Sequence, residues 1–241
     1  MMLELDDRCT RFGIDFSIGG GNALGAVRNG GFLPWDDDVD IYITRDNFEK
    51  MLAVRDEFFS DDFILVDYKS HPGYGNPLPR IVSTDDTVVS KSRLADGTPK
   101  GTFLELFVLD PMPNDPVQRR EWLELHWLYT ELVALNFRVA SPYVEEHVNL
   151  ERYEEWLGRC NVEGRFKVLA QLEEQLFNIP FEGTNELCAR WGVQDCIYKT
   201  SAFASYTRIA FEDVELPIAS GYIDNLYSDY GNSWMYIPKE E

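Results

Sequence analysis

Apolar positions along the chain switch between a helical and an alternating period, and the switches divide it into elements. Leu3 to Arg11 carries apolar residues at helical spacing and stops at Gly13, after which Ile14 to Ile18 reads as a short strand running into Gly19-Gly20-Gly21. Asn22 to Arg28 is compatible with a short helix, and a second glycine turn follows at Gly30-Gly31. Asp38 to Ile43 then alternates polar and apolar residues, as an extended strand does. Asp46 and Glu49 make a D-x-x-E capping pattern, and Phe48, Met51, Leu52 and Phe59 recur behind it, which predicts a helix over 46–59. Phe63 to Tyr68 reads as a strand and Lys69 to Pro79 as an exposed loop. Ile81 to Ser90 supplies one or two strands around the Thr84-Asp85-Asp86 turn, and Lys91 to Lys100 reads as a mobile loop near the site.

Phe103 to Asp110, FLELFVLD, is an apolar strand with Glu105 in its middle. Asp115-Pro116 opens a long helix to about Arg138, with Trp122, Leu125, Leu128, Leu132 and Leu135 on one side. Helices around 145–157 and 162–178 follow, so residues 113–210 read as a mainly helical insertion between a core at 1–112 and a closing strand and helix at 211–241. The expected class is α/β (α+β), a mixed sheet with flanking helices in a single domain over 1–241.

A chain of 241 residues with 44% hydrophobic and 14% aromatic residues can bury a sizeable core. Its net charge of −20 argues against duplex nucleic acid or an anionic membrane surface as a bulk partner, so a phosphate substrate needs local help from metal and arginine. The first residues have neither a basic nor an apolar leader pattern and no apolar run reaches bilayer length, which points to a cytoplasmic protein without membrane insertion. Cysteines 9, 160, 188 and 196 show no CxxC spacing and read as reduced thiols, and His126 and His147 have no partner at metal-ligand spacing.

The chemistry concentrates in Ile18 to Ile43. On an extended strand Asp38 and Asp40 project to one face while Val39 and Ile41 face the core, and two carboxylates side by side repel unless a cation sits between them. A solvated turn is the plain alternative for an acidic run. An EF-hand is excluded, because counting from Asp36 the sixth position is Ile41 rather than Gly and the twelfth is Asn47 rather than Glu. No Gly-Lys-Ser/Thr follows Gly20 or Gly25, which excludes a P-loop, and Leu24 stands where a dinucleotide fingerprint needs its third glycine.

Gly-Gly, then Leu-Gly-Ala-Val-Arg, then Gly-Phe-Leu-Pro-Trp-Asp-Asp-Asp-Val-Asp-Ile resembles the signature of the LicD family, phosphocholine transferases related to fukutin-type proteins. The closing stretch from Phe211 to Tyr236 also resembles the family's end, while the middle matches weakly. The resemblance implies a nucleotidyltransferase-like core in which a Gly-Gly turn, an Asp-x-Asp strand and a third carboxylate on a neighbouring strand hold Mg²⁺ or Mn²⁺. It implies Asp38 and Asp40 as principal ligands and catalytic residues, with Glu105 third where the family has Asp. Without that context Glu105 reads more simply as half of a buried ion pair with an arginine. Gly19, Gly20 and Gly21 suit a phosphate at a helix N-terminus. Arg28 is a candidate fork for a phosphate oxygen, with a salt bridge to Asp36 or Asp37 as its alternative, and Arg80 is a weaker candidate. A quaternary ammonium would be met by aromatic faces, for which Trp35 and Tyr74 stand first, with Tyr68 and Trp191 also available.

The implied function is Mg²⁺-dependent transfer of a phospho-alcohol, phosphocholine foremost, from a CDP-alcohol such as CDP-choline to a hydroxyl of a glycan or lipid-linked saccharide. The competing readings are nucleotidyl transfer with release of pyrophosphate, glycosyl transfer from a nucleotide sugar, and a non-catalytic binding protein that keeps the fold.

Overall fold

The computed structural model describes residues 1–87, 98–134, 150–191 and 194–237. The fold is mixed α/β, and its hub is the strand β5 (Phe103–Pro111). β2 (Asp40–Thr44) lies parallel to β5 with Asp40 opposite Glu105, and β1 (Ser17–Ile18) pairs antiparallel with β2. The first residues of β5 pair antiparallel with β4 (Arg80–Ser83), which in turn carries β3 (Phe63–Val66). Asp110 and Pro111 at its far end pair instead with β6 (Glu186–Trp191), which carries β7 (Gln194–Lys199). A separate hairpin, β8 (Tyr206–Phe211) and β9 (Val214–Ala219), completes the strands of the described residues.

Side-chain alternation on β2 and β5 sorts the layers. Ile41, Ile43, Leu106 and Val108 enter one core with Leu5 of α1 (Met2–Phe12), Leu24 of α2 (Gly20–Asn29), Phe48 and Met51 of α3 (Arg45–Ala53) and Phe58 of α4 (Arg55–Phe58). Tyr42, Phe107 and Leu109 face the other way, onto Leu187, Tyr198 and Phe203. Asp40 and Glu105 belong to this second face, at the end of the strands where apolar cover stops. The helices α5 (Pro116–Val133), α6 (Leu150–Glu163) and α7 (Arg165–Leu176) build a core of their own around Trp122, Leu128, Leu169 and Leu172. Asp115 caps α5 by accepting from the backbone N–H groups of Val117 and Gln118, with Pro116 in the first turn. The buried Arg45–Asp110 pair ties α3 to β5, with Arg45 Nε donating to Asp110 Oδ1 at 2.6 Å and His126 of α5 at 3.4 Å from Oδ2. The last helix, α8 (Tyr222–Tyr230), packs on β7 and α2.

The structure departs from the sequence reading in several elements. The helix over 46–59 breaks at Val54, beyond which Phe58 is fully buried. Gly164, at φ 92°, separates α6 from α7, whereas the break between the two expected helices was placed earlier, between 157 and 162. The 69–79 segment is not an exposed loop, since Tyr74, Asn76 and Leu78 are all buried. The segment 113–210 is helical only as far as Leu176, after which β6 and β7 join the sheet. Leu187 and Ala189 pack into one core and Cys188 into another, so β6 is apolar on both faces and gives no alternation by which a strand is recognised. Most of the 91–100 loop, His147, the end of the helix to Arg138 and the start of the 145–157 helix lie outside the described residues. None of the four cysteines is in a disulfide.

Candidate active site

The site begins with one asparagine. Asn22, in the first turn of α2 and almost fully buried, donates from Nδ2 to the carbonyl of Asp38 (3.1 Å) and accepts from the Asp40 N–H at Oδ1 (2.6 Å). The Gly19 N–H donates to the Asp40 carbonyl at 2.9 Å, and the Glu105 N–H to the Val39 carbonyl at 2.9 Å. The chain entering β2 is thereby pinned from the α2 side and the β5 side, and Asp40 is held opposite Glu105, with Asp38 just before the strand.

The glycines serve this approach. Gly20 has φ +47°, a left-handed conformation, and a Cβ there would overlap the Asp40 carboxylate. A Cβ at Gly21 would meet the Asp36 carboxylate, and one at Gly19 the Tyr42 ring. The N-terminus of α2 thus faces carboxylates of its own chain, and its partial positive charge offsets part of their repulsion.

That repulsion is large. Burial, together with Asp38, Glu105, Asp36 and Asp229, raises Asp40 to about 8. Burial also raises Asp36 to about 6, helped by Asp38, to which it is hydrogen-bonded, and by Asp37. One oxygen of Asp36, Oδ2, is buried without a hydrogen-bond partner. Side chains from the 36–40 segment, β5 and α8 therefore share one negative patch of oxygen donors, chemistry suited to a hard divalent cation. Among the described residues no three His, Cys, Asp or Glu side chains are already arranged as a metal cage.

Glu105 is buried and bonded on one oxygen. Arg80 Nε (2.8 Å), Arg80 Nη2 (2.6 Å) and Asn76 Nδ2 (2.9 Å) all meet Oε1, and the Arg80 guanidinium stacks on Phe103 at 3.8 Å. The ion-pair reading of Glu105 is realised, and Arg80 is its partner rather than an open phosphate fork. Arg28 makes no salt bridge to Asp36 or Asp37. Its Nη1 reaches the Trp234 carbonyl at 3.5 Å and its Nε is buried without a hydrogen-bond partner, so much of its donor capacity is unspent.

Of the aromatics, Trp35 is 64% exposed, one residue before the acidic run. Tyr74 is 3% exposed, packs with Val66 and Val82 and donates to the Leu78 carbonyl, so it belongs to the core and offers no open face. Tyr68 lies across the sheet beside α7, bonded to Glu173, and the Trp191 side chain is outside the described ones. Sequence reasoning missed Asn22 and Asp229. An Asn directly behind a glycine turn was the signal for Asn22, whereas nothing local distinguishes Asp229 within Tyr-Ser-Asp-Tyr.

The family described as LicD/FKTN/FKRP, nucleotidyltransferase domain, matches residues 13–74, the segment from the end of α1 through β2 and β3. Over its whole length the chain is similar to the lipopolysaccharide cholinephosphotransferase LicD of Haemophilus influenzae, with 22% identity covering 97% of this chain and 86% of that protein. The matched domain contains the glycine turn, Asn22 and the Asp36–Asp40 run, and the similarity extends to the strand that carries Glu105 and to α8. The chain is thus similar to the LicD family, by its domain over residues 13–74 and by a cholinephosphotransferase relative over most of its length.

Proposed function

We propose that the protein is a transferase of phosphorus-containing groups that moves phosphocholine from a CDP-choline donor to a hydroxyl of a lipopolysaccharide-type glycan or lipid-linked saccharide. The observation that carries this reading is the pairing of Asp40 with Glu105 across parallel strands, beside Asp38 and against the N-terminus of α2. Similarity to a cholinephosphotransferase supports the choice of transferred group.

Asp38, Asp40 and the free side of Glu105 would hold Mg²⁺ or Mn²⁺, which would neutralise charge on the phosphate oxygens. Arg80 and Asn76 fix the direction of Glu105 by occupying Oε1. Asp38 or Glu105 is the candidate to take the proton from the acceptor hydroxyl. Arg28, in the last turn of α2, would supply a guanidinium with unused donors for the donor phosphates. No helix of the described residues is long and apolar enough to cross a membrane.

One observation favours a second reading: the Arg80 pair satisfies Glu105 without a metal, as a non-catalytic member of the fold would require. ³¹P NMR with Mg²⁺, CDP-choline, CDP-ribitol, CDP-glycerol, nucleoside triphosphates, UDP-sugars and mixed sugar acceptors separates the possibilities. CMP and a phosphodiester, absent with Asp38→Asn/Asp40→Asn, are expected. Pyrophosphate would mean nucleotidyl transfer, UDP glycosyl transfer, and silence in all arms the non-catalytic reading.

A further inference from the structure

Asp229, at the end of α8, is half-buried and is held by two phenols. Tyr198 Oη donates to Oδ1 at 2.6 Å, Tyr42 Oη to Oδ2 at 3.2 Å, and the two hydroxyls are 2.9 Å apart. Tyr42 lies two residues after Asp40 on the same face of β2, and its ring fills the space beside Gly19. The end of α8 is therefore fastened to the strand that carries the catalytic carboxylates, and through Tyr198 to β7.

Tyr230 follows directly. It is 39% exposed and follows Asp229, which Tyr42 ties to the strand of Asp40, and burial first and then the nearby carboxylates raise its pKa. Trp35 is exposed directly before Asp36, at the start of the acidic run. Tyr230 thus combines an accessible ring with a fixed backbone at the mouth of the negative patch. We propose that Tyr230, positioned by the Asp229–Tyr42–Tyr198 network and aided by Trp35, is the aromatic wall that selects a quaternary ammonium head group on the donor. This deepens the proposed function and rests on it.

The division of labour follows from elementary interactions. A negative mouth favours any cationic alcohol over neutral glycerol or ribitol. Carboxylates alone favour a primary ammonium over choline, because the primary ammonium donates hydrogen bonds and trimethylammonium cannot. Only an aromatic face reverses that order, since it attracts the cation without asking for a donor.

The test compares wild type, Tyr230→Phe and Tyr230→Leu with CDP-choline, CDP-ethanolamine and CDP-glycerol, by calorimetric binding and by turnover in ³¹P NMR. The wild type and Tyr230→Phe are expected to prefer CDP-choline. Tyr230→Leu should lose about 3- to 30-fold of the preference for choline over ethanolamine while still rejecting glycerol. A purely structural role would weaken all three donors equally and overturn the inference, as would an unchanged choline-to-ethanolamine ratio. If Tyr230→Leu does not fold, Trp35→Leu at its exposed position is read by the same ratio. Failure of the wild type to bind or turn over any CDP-alcohol refutes the proposed function itself, a result distinct from loss or retention of selectivity.

Discussion

Asp40→Asn is expected to stabilise the metal-free protein at alkaline pH. Asp40 ionises near 8 in the folded chain against 3.8 ordinarily, so the folded state holds its proton more tightly than the unfolded state does. Its contribution to stability is therefore present at low pH and declines as pH rises from about 4 to about 8. At pH 8 the full difference has an upper bound of about 5 kcal/mol, at about 1.4 kcal/mol per pH unit. The carboxyl is only partly buried, and water entry and side-chain movement reduce the expected effect to about 2–3 kcal/mol. In a chain of this length that raises the Tm by about 4–12 °C. The Asn side chain is nearly isosteric, and the hydrogen bonds that fix residue 40 use its backbone, so the fold is retained. Thermal melts at pH 5 and pH 8, with and without Mg²⁺, check this, with Glu121→Gln on the exposed face of α5 as the charge-matched control. The variant should exceed the control at pH 8 without metal, and the gap should shrink at pH 5. Added Mg²⁺ should stabilise the wild type and leave Asp40→Asn unmoved. An Asp40→Asn protein no more stable than the control at pH 8 would refute the electrostatic argument, and equal Mg²⁺ stabilisation of both proteins would refute the assignment of Asp40 as a ligand.

Asn22→Ala removes both side-chain bonds to the entry of β2 and should cost about 1–3 kcal/mol in denaturant melts, with a larger proportional loss of transfer activity than of stability. Gly20→Ala forces a side chain into a left-handed position against Asp40, and loss of metal-dependent stabilisation in a melt is the expected result. Arg45→Met strands the buried Asp110 carboxylate and should destabilise by about 3–5 kcal/mol at pH 7, read by urea unfolding. Burial alone would raise the Asp110 pKa, but Arg45 and the His126 hydrogen bond outweigh it and hold it below the ordinary carboxylate range. That stabilisation is complete above about pH 4 and is lost as pH falls through the depressed value, so Asp110→Asn should flatten the acid limb of the wild-type stability curve.

The chemistry was legible because it is local. The carboxylates at 36, 37, 38 and 40, the glycines before them, the helix α3 and the Asp115-capped α5 depend on residues a few positions apart, although α3 starts at Arg45 without the side-chain cap that Asp46 and Glu49 suggested, and side-chain alternation already put Ile41 in the core. The isolated acid in FLELFVLD drew attention for the same reason, since a charge in an apolar strand needs a partner. Which partner it has is not local. Arg80 reaches Glu105 only because β4 pairs antiparallel with β5 in that register, a fact that turned a phosphate-fork candidate into half of an ion pair. Tyr74 was misread because a segment rich in proline and glycine resembles a surface loop until β3, β4 and its own hydroxyl bond enclose it.

The sequence by itself determined the periods of its elements, the acidic strand entry and the family signature, because each is written in residues that touch along the chain. Only the tertiary structure decided that β6 and β7 extend the sheet, that Asn22 orients two aspartates and that Asp229 reaches Tyr42 across nearly two hundred residues. Those contacts depend on strand register and on the packing of distant cores, and no short-range pattern encodes either.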